Sequence, residues 1–279
     1  MRITLWGTRG SLPSAGPETT RYGGNTACVT VRDGEGTLLV LDAGTGILRL
    51  GASLDPQISQ VNVLLTHLHM DHIQGLGFFQ PLYEEGIDVH IWGPASATQD
   101  LRRRLARYLS PPLFPVPIRD LPCCLTLHDV PRGAFRVGSF DVTADLVCHP
   151  GPTVGYRIVE GESSIAYLPD HEPALGSDDG IPQRREWLSG YDLAQGVRLL
   201  IHDAQYTPEE YETHVGWGHS SIRHAVAFAE ATRAKRLVTF HHDPSHDDAA
   251  IDRLVDDVRR ARRLPFELIP GIEGATFQL

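Results

Sequence analysis

The sequence is poor in several things that would have classified it at once. Cysteine is scarce: Cys28, Cys123, Cys124 and Cys148 are the only four in 279 residues. None falls in a CxxC spacing, which argues against a zinc knuckle or a dithiol redox pair. They read as reduced structural thiols, with Cys148 kept as a candidate neighbour of a metal ligand because His149 follows it. No run approaches the roughly 18 apolar residues needed to cross a bilayer. The start, Met1-Arg2-Ile3-Thr4-Leu5-Trp6, reads as a strand and lacks the apolar core and cleavage site of a signal peptide, so a cytoplasmic location is predicted. Lysine is nearly missing, with Lys235 alone, and the net charge is −10. A polyanion binder ordinarily shows the opposite balance. The arginine clusters Arg102, Arg103, Arg104, Arg107 and Arg259, Arg260, Arg262, Arg263 lie on predicted helices, where a charge run is usually a solvated face. Repeats, low-complexity tracts and long linkers are absent as well. With 41% hydrophobic and 22% charged residues, the chain is read as one globular domain, 1–279.

Histidine, by contrast, is concentrated. Thr66-His67-Leu68-His69-Met70-Asp71-His72 packs three imidazoles and a carboxylate directly behind the apolar run Val61-Asn62-Val63-Leu64-Leu65, which reads as a buried strand. In extended chain His67 and His69 point to one side. Imidazole with carboxylate suits zinc, iron and manganese. A His-rich surface turn would not explain the strand that leads into it.

Further strands end the same way. They are expected near 2–6, 27–32, 37–42, 61–65, 88–92, 123–128, 134–137, 140–147, 154–159, 163–168, 197–201 and 236–240. Helices are expected after Gly44-Thr45-Gly46, over 96–109 opened by Ser96, and over 220–232 and 247–262. Residues 110–122 are Pro-rich and apolar, fitting a lid, a partner surface or an internal packing loop. Alternating strands and helices with hairpins in each half predict a layered α/β architecture. Asp42, His149, Asp170 and the pair His241-His242 each follow a hydrophobic strand, so the ligand-type residues are expected to converge on one edge. Seven of them (His67, His69, Asp71, His72, His149, Asp170 and His241) exceed the four that one zinc takes. Two divalent metals, Zn2+ first and Mn2+ or Fe as alternatives, are therefore expected.

The HxHxDH motif at 67–72, with Asp42 in Leu41-Asp42-Ala43-Gly44 before it and His149, Asp170 and a late histidine after it, resembles the metallo-β-lactamase fold superfamily over essentially the whole chain. Leu200-Ile201-His202-Asp203-Ala204-Gln205-Tyr206 followed by Gly218-His219-Ser220-Ser221 is similar to the ribonuclease Z and cyclic phosphodiesterase branch, as is Trp6-Gly7-Thr8-Arg9-Gly10-Ser11-Leu12-Pro13. The ending His241-His242-Asp243-Pro244 resembles a bacterial group of phosphodiesterase-like hydrolases. The resemblance implies an αββα sandwich, two β-sheets face to face with helices outside. It implies that His67, His69 and His149 hold a first metal, that Asp71, His72 and His241 hold a second, and that Asp170 bridges them. Matching the Asp-Pro after the histidine pair to the Ser-Pro of ribonuclease Z selects His241 over His242. Asp42 would orient a ligand histidine through its other ring nitrogen.

The expected activity is that of a dinuclear phosphodiesterase. Water between two cations loses its proton near neutral pH, and attack of that hydroxide on phosphorus is the expected reaction. Asp71 would also orient the nucleophile. By resemblance His219 protonates the leaving group, with Asp203 fixing its tautomer; otherwise Gly218-His219-Ser220-Ser221 only caps the next helix, a job that suits Ser220. Arg9 and Asn25, in Gly-rich loops, are candidate phosphate contacts or plain turn residues. His171 is a candidate to face the site or to pack. No Gly/Pro-rich arm of the ribonuclease Z kind is present between Asp170 and Val197. That stretch is acidic, with Glu172, Asp178 and Asp179, so a small phosphodiester or cyclic nucleotide is expected rather than a large nucleic acid. Kept open are a lactone or thioester hydrolase, an RNA-processing nuclease on the same site, and a metal-binding sensor with little turnover. No membrane partner is expected, and homodimers are common among the resembling proteins.

Overall fold

A computed structural model describes residues 1–175, 181 and 185–279; Asp178 and Asp179 lie outside the described residues. Among the described residues, fourteen strands form two seven-stranded sheets. In the first, β1 (Arg2–Gly7), β2 (Cys28–Arg32), β3 (Leu38–Leu41), β4 (Gln60–Leu64), β5 (Asp88–Pro94) and β6 (Cys124–Val130) lie side by side in chain order. In the second, β7 (Gly133–Val137), β8 (Phe140–Leu146), β9 (Val154–Glu160), β10 (Ser163–Leu168), β11 (Leu199–Asp203) and β12 (Arg236–Phe240) do the same. Two strands went unpredicted. β13 (Glu267–Pro270) joins β12 in parallel, and β14 (Thr276–Gln278) returns to the first sheet, antiparallel to β1. They are too short for a period-2 pattern to stand out.

Alternation decides which side chains face where. Leu39 and Leu41 of β3 join Ile3, Leu5, Val29, Tyr156, Ile158, Tyr167 and Phe240 in the core between the sheets. Leu38 and Val40 face the other way. They pack with Val61, Val63 and Ile47 of helix α1 (Ile47–Ser53) in a second core. A third core lies beneath helix Ile222–Thr232, which supplies Ile222, Val226 and Phe228. The architecture is the αββα sandwich: helix layer, sheet, sheet, helix layer.

Several helices differ from expectation. The expected 96–109 helix begins at Leu101, because Asp100, not Ser96, accepts from the Arg103 amide. Ser221, not Ser220, caps helix Ile222–Thr232 by accepting from the His224 amide. Asp247 caps helix Asp248–Ala261. In the Pro-rich segment 110–122, Phe114 and Ile118 are buried in the second core with Val116 and Leu121 packed against it, whereas Leu113 is exposed. No helix among the described residues is long and apolar enough to cross a membrane.

Strand direction positions the chemistry. β3 and β4 are parallel, as are β10, β11 and β12. β8 runs the same way as β10, since both are antiparallel to β9. The C-terminal ends of β3 and β4 in one sheet, and of β8, β10, β11 and β12 in the other, carry the candidate residues to one edge of the sandwich.

Candidate metal centre

Two groups of ligand atoms form at that edge, each with its atoms within 4.8 Å of one another: His67, His69, His149 and Asp170, and then Asp71, His72, Asp170 and His241. Asp170 belongs to both. His67 to His69 is extended chain after β4, so the two rings share a side, with centroids 4.4 Å apart. At His69 the chain enters the short helix Met70–Ile73, which turns Asp71 and His72 towards the other group. His241 sits just past β12 with φ +60, a left-handed backbone uncommon for a residue with a side chain. Its Nε2 lies 3.1 Å from Asp71 and 3.3 Å from Asp170. His242 turns away, with its Nε2 2.9 Å from the Gly271 carbonyl.

The outer nitrogens of these rings are engaged, which fixes what the inner ones offer. Asp42 accepts from the Thr66 amide at 2.7 Å, the Thr66 hydroxyl, the Tyr167 hydroxyl at 3.0 Å and His72 Nδ1 at 2.8 Å. The Thr66 hydroxyl gives its proton to Asp42, so its oxygen accepts from His67 Nδ1 at 3.0 Å. His149 Nδ1 donates to the Gly218 carbonyl at 3.0 Å, and His241 Nδ1 to Gln205 Oε1 at 2.9 Å. Each of these four rings therefore turns its Nε2 inward, as the nitrogen left to bind a proton or a cation. Inside, nitrogen faces nitrogen: His149 Nε2 is 3.2 Å from His69 Nδ1, and His72 Nε2 is 3.4 Å from His241 Nε2. Nitrogens that face each other this way gain from the approach only when a proton or a cation lies between them. His67 Nε2 is buried without a hydrogen-bond partner, a costly arrangement for a polar atom, and Asp170 Oδ1 stands 2.9 Å from His72 Nε2. Nitrogens and carboxylate oxygens converging this way fit divalent cations.

Charge agrees. Burial opposes a proton on His72, but Asp170, Asp71 and Asp42 outweigh it and hold its pKa well above the imidazole range. Burial likewise opposes charge on His241, yet Asp170 and the Asp71 hydrogen bond lead in pushing it up to about 9. The carboxylates thus favour positive charge at the point of convergence.

Beside the second group stands a dyad. His219 Nδ1 donates to Asp203 Oδ2 at 2.7 Å, and the His219 ring stacks on His241 with centroids 4.8 Å apart. Asp203 also accepts from the amides of His171, Gln205 and Ser220. It is a saturated hydrogen-bond hub, although Asp203, His219 and His241 also converge. Ser220 donates its hydroxyl to the His171 carbonyl at 2.6 Å. The His171 ring packs with His202 and Phe228, so it serves packing rather than the site.

Arg9 and Asn25 are both engaged within the protein. The Arg9 side chain is fully buried and donates to the carbonyls of Gly23, Asp243 and His246. Asn25 gives its side-chain and backbone N–H groups to Glu273. The Cys148 backbone is engaged on both sides: its amide donates to the Ser189 hydroxyl and its carbonyl accepts from the Glu172 amide.

Several residues escaped sequence reasoning because they act on ligands without being ligands. They include Thr66, Tyr167 and Gln205. Ser11 donates its amide to Asp71 at 2.8 Å. A Cβ on Gly10 would lie 2.1 Å from His241 Nδ1. Glu172, only 1% exposed, accepts from the amides of Gly216 and Gly218 and from the Tyr211 hydroxyl. It therefore adds nothing to an acidic surface, which removes part of the argument against a large anionic substrate. A concavity of about 900 Å3 between the last two helices is lined by Ile222, Val226, Leu254 and Val258. It shares no residue with either metal group.

A family model described as a beta-lactamase superfamily domain matches residues 37–242. The chain belongs to this family. Ribonuclease Z of Myxococcus xanthus is 25% identical over all of this chain and 98% of its own length. Among solved structures, the metallo-beta-lactamase fold protein YhfI of Bacillus subtilis superimposes with a TM-score of 0.72 at 18% identity, covering 99% of this chain and 98% of YhfI. The short form of human tRNase Z gives 0.69 at 22% identity, covering 100% and 99%. The metallo-beta-lactamase fold is shared, and the His/Asp cluster of this superfamily member suggests a dinuclear metal site.

Proposed function

We propose that this superfamily hydrolase is a dinuclear metal-dependent phosphodiesterase acting on a small phosphodiester. The observation that carries the reading is the pairing of two ligand groups through Asp170 with a proton-donating dyad beside them. His67, His69 and His149 would hold one cation, Asp71, His72 and His241 the other, and Asp170 both. Zn2+ fits this nitrogen and oxygen set, as do Mn2+ and Fe. When bound, such a pair supplies Lewis acidity, an acidified water and neutralisation of phosphoryl charge. The protein's own part is positional. Asp42 and Gln205 fix the tautomers of His72 and His241. Asp203 commits His219 Nδ1 and leaves Nε2 as the nitrogen that would protonate the departing alkoxide.

A second reading, an RNA-processing nuclease, draws on the name of the Myxococcus relative and on the loss of Glu172 from the surface. The test is a panel run on metal-loaded protein: bis-p-nitrophenyl phosphate, cyclic nucleotides, a 3′-extended RNA, a lactone and a thioester. Turnover of the phosphodiesters that His67→Ala abolishes is expected. Turnover confined to the lactone or thioester would sink the phosphodiesterase reading.

A further inference from the structure

The loop before His219 is built in a way the hydrolytic chemistry alone does not require. It runs from Thr213 to Gly218, after the short helix Pro208–Glu212. The amides of Gly216 and Gly218 both donate to the buried carboxylate of Glu172, at 3.1 and 3.0 Å. Tyr211 adds its hydroxyl to the same carboxylate at 2.7 Å. Between the two pinned amides lies Trp217, which is 60% exposed. Beneath it, the His214 ring meets the indole edge-on at 4.7 Å and stacks on Tyr206 at 4.7 Å. Tyr206 in turn meets His219 at 5.9 Å. The aromatic series thus runs from the exposed indole to the candidate proton donor.

The loop also borders the opening of the metal centre. The carbonyl next to Trp217, on Gly218, holds His149 Nδ1 at 3.0 Å. His149 Nε2 lies 3.2 Å from His69, the one exposed member of the two ligand groups. A Cβ at Gly218 would stand 2.4 Å from His149 Nδ1, so the chain approaches the ligand as closely as glycine allows. Leu175, also exposed, lies beside Gly216. Exposed tryptophan is not by itself informative, since Trp187 is exposed too. What distinguishes Trp217 is that the backbone on both sides is fastened to a buried carboxylate. An exposed aromatic ring is therefore carried on a fastened backbone, one residue from the carbonyl that holds His149, so part of its ordering entropy is already spent.

Resting on the phosphodiesterase reading, we propose that Trp217 is a stacking platform for a planar base attached to the scissile phosphodiester, making nucleotidyl esters the preferred substrate class. Every nucleobase offers a π-face, so such a platform selects for a base without selecting which base. Glu172 is the positioning residue that keeps the platform in place.

The experiment compares two esters with the same leaving group, thymidine 5′-p-nitrophenyl phosphate and methyl p-nitrophenyl phosphate. In Trp217→Ala the ratio of their KM values collapses by about tenfold, the scale of one base stacked on one aromatic ring. Trp217→Phe restores most of it. A ratio unchanged in Trp217→Ala overturns the platform. An independent readout is tryptophan fluorescence titrated with adenosine 5′-monophosphate: saturable quenching in the wild type that disappears in Trp217→Phe supports it, and quenching that persists overturns it. If the wild type hydrolyses no phosphodiester yet shows that Trp217-dependent quenching, the reaction reading falls while the platform stands. Cyclic adenosine monophosphate and a 3′-extended RNA form the last pair. The one whose KM rises more in Trp217→Ala identifies the source of the base, and no rise in either overturns the proposal.

Discussion

At the scale of single residues, the site works by committing one nitrogen of each imidazole so that the other has a single role. Asp42 does this for His72, Gln205 for His241, the Gly218 carbonyl for His149 and Asp203 for His219. For His219 this gives a prediction that depends on the leaving group. An alkoxide needs a proton to depart, whereas p-nitrophenolate departs as a stable anion. His219→Ala should lower kcat roughly 10²- to 10⁴-fold on a phosphodiester with an alkoxide leaving group. On bis-p-nitrophenyl phosphate the loss should be less than about tenfold. Steady-state kinetics on both esters checks this, and equal losses would count against a proton-donating role. The HxHxDH stretch and the strand-end Asp and His residues were legible because their side chains are chemically unusual after an apolar run. Gln205, Thr66 and Glu172 were not, because a hydrogen bond to a ligand has no sequence period.

At the scale of elements, strand ends and tight loops bring the ligands together. Gly10 in the loop after β1 lies against the His241 ring, and the left-handed backbone of His241 leaves that ring little room to yield. Gly10→Ala is expected to displace His241 and lower the retained metal from about two equivalents towards one, since the first group does not use His241. Elemental analysis after gel filtration measures this. Gly34→Ala, where a Cβ would meet nothing within 4 Å, serves as the matched control and should retain both. The sequence pattern located the first twelve strands because most are long enough to show alternation or a buried run. It overextended the helix after Gly93, where local capping by Asp100 set the boundary. It also missed β13 and β14, whose three- or four-residue pairings are supported by the partner strand rather than by their own pattern.

At the scale of the whole molecule, the buried histidines outside the ligand groups set an acid limit. Burial pushes His202 down to about 4, against the opposing charge of Asp203. An unfolded chain protonates this ring near 6.5. Between about pH 6.5 and 4 the unfolded state therefore binds a proton that the folded state does not. Stability should fall as pH drops through that window and level off below it, with this ring contributing on the order of 3 kcal/mol. Urea titrations at pH 7 and pH 4 should show a smaller acid loss in His202→Gln than in wild type, a comparison in which histidines that do not touch this ring cancel and His171, 2.9 Å from it, is read together with it. Equal losses would mean that His202 is not held neutral.

Sequence alone determined the kinds of ligands and their order along the chain, because residue chemistry and strand periodicity are local properties; their division between two groups was implied by the family resemblance. It also carried the layered fold, through apolar runs that must be buried on both faces of a sheet. Tertiary structure decided which of His241 and His242 turns inward, where Ser220 and Ser221 point, and that Arg9, Asn25 and Glu172 are spent on the protein itself. Those outcomes depend on which carbonyl, amide or carboxylate a distant strand end presents. Contacts between residues more than a hundred positions apart, such as His241 with Asp71 and Arg9 with His246, exist only once the two sheets have closed on their shared core.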